Sequence, residues 1–102
     1  MATGVPPKTF ISDLRPRRMA TFEATVAKLE PVREFEGRDG GTKKVRNGVL
    51  SDGTGEISFV LWDHEVELVS EGEKVRIVEG WVKDYKGRPQ VSLGRTGRIE
   101  KP

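Results

Sequence analysis

Trp62, Trp81 and Tyr85 are the residues of this chain best suited to chemistry with a ligand, and that chemistry is stacking. Trp62 ends an alternating run, Glu56 to Trp62. In it Ile57, Phe59 and Leu61 share one phase, and Ser58, Val60 and Trp62 share the other. The first set reads as core. The second phase also carries Glu56, so Trp62 falls on a face that should see water, where a large aromatic calls for an explanation. Tyr85 follows Trp81 by four residues and stands between Lys83 and Lys86. An unpaired base stacked on an aromatic ring contributes about 1–3 kcal/mol, and its phosphate needs Lys or Arg nearby. Lys43, Lys44, Arg46, Lys83, Lys86, Arg88 and Arg95 are the candidate phosphate contacts. In the competing reading the two tryptophans close the core or pack on the N-terminal tail. Three rings on one face with basic loops favour ligand binding over that alternative.

Catalysis has little to work with. There is no Cys, which removes disulfides, zinc fingers, iron–sulfur clusters and thiol chemistry. The single His, His64, sits between Asp63 and Glu65 and pairs with no nucleophile. The glycine loop at Gly37–Gly41 lacks the Lys-Ser/Thr of a phosphate-cradling loop and does not open a helix. Asp63, Glu65 and Glu67 read as a solvated face and not as a metal cage. The chain is therefore expected to be no enzyme and to hold neither cofactor nor metal.

Length and charge agree. A chain of 102 residues with 34% apolar content supports one compact domain. Its apolar runs are far shorter than the roughly 20 residues a membrane helix needs, and Met1–Pro7 lacks the features of a secretory signal. The expected address is cytoplasmic. The net charge is only +2, but it is unevenly spread. Residues 52–79 carry eight acidic and two basic side chains. Residues 1–50 carry ten basic and six acidic, and residues 83–102 six basic and two acidic. A fold that joins the two basic stretches would present one positive surface.

The elements that must position these residues follow from periodicity. Residues 1–9 read as a flexible tail and 10–102 as the domain. Phe10, Ile11 and Leu14 predict a short turn that plugs one end. Alternation predicts a first strand from Phe22, bent at Pro31 and resuming through Phe35. A second strand is expected over Lys43–Leu50, a third over Glu56–Trp62, a fourth over Lys74–Val82 and a fifth over Gln90–Leu93. A short helix capped by Asp63 is expected over Glu65–Val69, and a hairpin loop over Lys83–Arg88. Five antiparallel strands with a helix between the third and fourth give an all-β chain with the order of the OB-fold, a Greek-key barrel. In that barrel, strands two and three and the loops after strands one and four form the ligand face.

Six segments carry a resemblance: Ile11–Pro16 (ISDLRP), Gly48–Gly55 (GVLSDGTG), Val60–Asp63 (VLWD), Glu71–Val75 (EGEKV), Gly80–Gly87 (GWVKDYKG) and Ser92–Arg95 (SLGR). Together they resemble archaeal single-OB single-stranded-DNA-binding proteins and the OB domains of archaeal replication protein A, and are similar to the eukaryotic sensor-of-single-stranded-DNA B subunit. The resemblance implies sequence-tolerant binding of single-stranded DNA in replication, recombination or repair, with Trp62, Trp81 and Tyr85 as stackers. It implies possible partners among replication or repair proteins. It also adds Arg33 and Phe35 as contacts, Phe35 being open between ligand and core. Ser92 stands where the eukaryotic relatives have another aromatic. RNA as ligand, and a protein docked on the same aromatic face, are the alternatives.

Overall fold

The computed structural model describes residues 9–94 and 96–101. The tail expected over 1–9 falls, but for its last residue, outside the described residues, as does Arg95. Seven strands share one sheet: β1 (Arg18–Leu29), β2 (Arg33–Glu36), β3 (Thr42–Ser51), β4 (Glu56–Trp62), β5 (Lys74–Tyr85), β6 (Arg88–Ser92) and β7 (Arg98–Glu100). The order is β1-β3-β4-β6-β5, and β5 pairs back onto β1 to close the sheet. This is the five-stranded OB barrel, with β2 and β7 added at its margins.

Several elements differ from expectation. The strands are not all antiparallel, since β6 runs parallel to β4. β6 turns back from β5 through a tight hairpin and so enters the gap beside β4 in β4's own direction. The bend at Pro31 divides the first strand in two, and both parts pair with β3. β5 runs on to Tyr85, and only Lys86 and Gly87 form the turn. Both have positive φ, 52° and 82°, as a two-residue type I′ hairpin requires. β7 was not foreseen, because the glycine-rich basic end shows no alternation.

The expected helix is a 3-10 turn over Asp63–Glu67. Asp63 does not cap it. Its own φ is 51°, and its carboxylate accepts the Lys44 N–H at 3.1 Å, tying the turn to β3. The Glu65 carboxylate instead accepts the Trp62 N–H at 3.0 Å.

The barrel interior is filled by Phe22, Ala24, Val26, Leu50, Ile57, Phe59, Leu61, Val75, Ile77, Val82 and Val91, with Val66 and Val69 below. A first 3-10 turn, Ile11–Asp13, closes one end through buried Ile11 and Leu14. Phe10, expected in the same plug, is 38% exposed. At three residues per turn positions 11 and 14 eclipse, and position 10 points elsewhere.

Asp52 holds this plug. Its carboxylate accepts the Ile11 N–H at 2.7 Å and the Thr54 N–H and hydroxyl at 2.9 and 2.6 Å. Partial burial alone would raise its pKa. The Thr54 hydroxyl and the N–H groups of Ile11, Thr54 and Gly55 outweigh that and hold it below the ordinary carboxylate value. A lowered folded-state pKa contributes stability that is complete above the unfolded value of about 3.9 and is lost as pH falls through the folded value. Solvent exposure keeps the contribution small. Asp52→Asn is expected to cost about 1 kcal/mol near neutral pH. It should also flatten the loss of stability at acid pH, checked by urea unfolding from about pH 2 to 6.

Candidate nucleic-acid interface

A β-bulge decides which way Trp81 faces. Val75 and Ile77 point inward. Counting on by twos would turn Trp81 inward as well. Between the pairs Ala20↔Gly80 and Phe22↔Ile77, however, β1 supplies one residue and β5 two. Glu79 takes φ 52°, and its N–H is received by the Thr21 hydroxyl at 3.0 Å. The extra residue shifts the phase. Gly80 and Val82 are then buried, and Trp81 is exposed. Gly80 itself must be bare, because a Cβ there would stand 2.6 Å from Ile77 Cγ2. Beyond the bulge Lys83 and Tyr85 share the outward phase of Trp81.

The same outer face gathers residues from four other strands. Trp62 lies opposite Val45, and Val45 opposite Arg33. Val60 pairs with Asn47 on one side and Ser92 on the other, and Ser92 pairs in turn with Trp81. The Phe35 ring meets Trp62 edge to face, with centroids 6.1 Å apart and planes at 78°. At 45% exposure Phe35 is not core. A groove of about 440 Å³ runs over this face, lined by Arg33, Phe35, Val60, Trp62, Lys83 and Tyr85 among others.

The floor of the groove was not foreseen. Val45 and Val60 are buried but lie outside the barrel core cluster. They form an apolar base on the outer face, beneath the rings. The alternation in β4 did put Val60 on this face, but as a solvated residue. Glu34, Asn47 and Gln90 complete the lining, and Asn47 and Gln90 carry no periodic signal. Exposed Met19, the other cross-strand neighbour of Trp81, also escaped notice.

The candidate cations divide. Arg33 and Lys83 line the groove. Lys86 holds its ammonium 5.4 Å from the Tyr85 ring centroid, and Arg88 lies opposite Tyr85 across the hairpin. Among the described residues none of these four is held in an ion pair. By contrast Arg76, Arg98 and Lys101 are tied to Glu23, Glu100 and Glu73. Lys43 shares the outer phase, but its stem lies across Gly37, where a Cβ would meet Cε at 3.1 Å.

Lys44 and Arg46 are not brought to the groove. Both have the opposite phase on β3. Lys44 pairs loosely with Glu34 at 4.0 Å. The Arg46 guanidinium donates to the Glu30 and Val66 carbonyls at 2.7 and 3.2 Å, which fastens the second 3-10 turn to the barrel.

Comparison with known proteins agrees with this fold. A family model described as single-stranded DNA binding protein Ssb-like, OB fold, matches residues 17–101. The single-stranded DNA binding protein Ssb of Saccharolobus solfataricus is 26% identical over 87% of this chain and 60% of its own length. Replication factor A of Methanothermobacter thermautotrophicus is 40% identical over 72% of this chain. The chain spans only 9% of that longer protein. Among solved structures, the second OB-fold domain of replication protein A from Methanococcus maripaludis superposes with a TM-score of 0.75 at 27% identity, covering 93% of this chain and 94% of that domain. With its barrel, its strand order and a family model running from Arg17 to Lys101, the chain belongs to the Ssb-like OB-fold family.

Proposed function

We propose that the outer groove binds single-stranded DNA without catalysis and with tolerance of sequence, as a module serving replication, recombination or repair. One observation carries this reading: Phe35, Trp62, Trp81 and Tyr85 are all exposed on a single face of the sheet. An apolar floor supports them, and cations in no ion pair with a described residue lie at their margin. A soluble domain gains nothing by exposing four large rings together unless something flat covers them. Nucleobases are flat, and their phosphates suit Arg33, Lys83, Lys86 and Arg88. The names of the relatives given above support the same ligand.

The direct test is a titration with an oligothymidine, read by quenching of Trp62 and Trp81. Strong quenching supports base stacking. No quenching would leave the face to a protein partner. Single strands should be strongly preferred over a duplex of equal length, because a duplex hides its base faces within its own stack. An oligouridine run in parallel measures how far the sugar matters, since stacking does not read it.

Salt supplies a second measurement. Each phosphate neutralised on a single strand contributes about −0.7 to the slope of log K against log salt. If all four cations act, the slope should be about −3. Affinity unchanged between low and moderate salt would remove the electrostatic half of the proposal.

A further inference from the structure

Gln90 is the one polar residue among the deeply buried side chains of the described structure, at 7% exposure. It sits in mid-β6, opposite Ser58 of β4 and Lys83 of β5. Its neighbour Val91 points into the core, so Gln90 belongs to the outer phase and lines the groove with Trp62, Tyr85 and Asn47. The other buried residues of the groove are Val45 and Val60. An apolar side chain at position 90 would extend that floor at no cost in unmet hydrogen bonds.

The carboxamide makes no hydrogen bond to any described residue. Nor is it sealed away: no side-chain nitrogen or oxygen of the described residues is both buried and unsatisfied. The body of the side chain is therefore buried while its polar end opens toward the groove. A donor and an acceptor held this way are pre-positioned, with the rotamer cost already met on folding.

The geometry points to a base-edge contact. One unpaired base of the bound strand meets the Gln90 carboxamide with its Watson–Crick edge, while its neighbours stack on the rings. This rests on the single-strand reading above and adds a second kind of contact to it. A primary carboxamide presents one donor group beside one acceptor. Thymine and uracil offer the complementary pair, a carbonyl beside an N–H. Cytosine and adenine offer an amino group beside a ring nitrogen, which the carboxamide matches after rotation by a half-turn. The contact therefore tolerates base identity but demands a free edge. A duplex has none to give, so Gln90 adds to the preference for single strands beyond what stacking provides.

The test is a cycle between one side chain and one edge. Wild-type protein and Gln90→Leu are titrated with oligothymidine and with an oligomer of N3-methylthymidine of equal length. The methyl group blocks the edge and leaves the ring face for stacking. Wild type is expected to bind the methylated oligomer about tenfold more weakly, as loss of one to two hydrogen bonds implies. Gln90→Leu should bind the two oligomers within about twofold of each other. Gln90→Met, unbranched and of similar length, serves if the leucine variant does not fold. Equal wild-type affinity for both oligomers, with strong quenching by each, would overturn the edge contact and leave stacking intact. A difference that persists in the variant would also overturn it, because the methyl group would then be clashing elsewhere. Binding of neither oligomer by wild type would defeat the single-strand reading and the edge contact with it.

Discussion

Trp62→Ala, Trp81→Ala and Tyr85→Ala are each expected to weaken single-strand binding by about 1–3 kcal/mol, or roughly 5- to 150-fold. The rings are not equivalent. Trp62 and Tyr85 line one groove, whereas Trp81 lies beyond Ser92 toward Met19. Losses at Trp62 and Trp81 should therefore add, since the two rings would hold different bases. Trp62 also makes a T-shaped contact with Phe35, of about 0.5–1.5 kcal/mol, so its removal should carry the larger cost to the fold. All three variants should still melt cooperatively, because none of these rings belongs to the core cluster. Fluorescence anisotropy of a labelled oligomer, set beside thermal melts of the same samples, separates the two effects. If Trp62→Ala and Trp81→Ala melt the domain while the folded fraction keeps its affinity, the rings are scaffold and the stacking platform must be given up.

What the sequence showed of this site depended on whether phase survived along each strand. β4 is regular, so counting from Phe59 placed Trp62 outward, and the structure agrees. β5 is not. The bulge at Glu79 reverses its phase, and nothing in a Glu-Gly pair distinguishes a bulge from a turn. Trp81 and Tyr85 were instead placed through the barrel's known ligand loops and the flanking lysines. The cations of β3 show the opposite failure. Lys43, Lys44 and Arg46 were grouped by charge, yet alternation sends Lys44 and Arg46 to the far side. The apolar floor was missed because Val60 looked solvated beside Ser58. Val60 lies in mid-sheet between Asn47 of β3 and Ser92 of β6, a placement no local pattern records. The barrel was legible for a plainer reason. Short alternating strands divided by Asp52-Gly53 and Lys86-Gly87 turns, with one non-strand segment after the third, fit few closed sheets. The parallel β4–β6 pair and β7 depend on closure and had no signal of their own.

Phe59→Ala, on the same strand as Trp62 but in the opposite phase, is expected to fail in the opposite way. Phe59 is 2% exposed, and its cross-strand partner is Gly48. A Cβ on Gly48 would stand 2.6 Å from the Phe59 ring and 2.6 Å from the Lys28 carbonyl oxygen. The ring thus rests on bare backbone, held from behind by β1. When the ring is removed, Gly48 has no side chain to move into the space, and the cavity stays largely open. Truncating a buried Phe costs about 3–5 kcal/mol, and poor collapse favours the upper part of that range. Small domains are stabilised by about 5–15 kcal/mol in all, so this loss brings the barrel near its limit. In urea, with a slope of about 1–1.5 kcal/mol per molar, the midpoint should fall by about 2–5 M with the slope unchanged. The groove lies on the other face, so the folded fraction should bind the oligomer as wild type does. Oligomer at a hundredfold excess over Kd should then restore about 2.7 kcal/mol of apparent stability. A Phe59→Ala protein that keeps its midpoint but loses its ligand would show that β4 presents its other face to the strand, and both phase assignments on β4 would have to be exchanged.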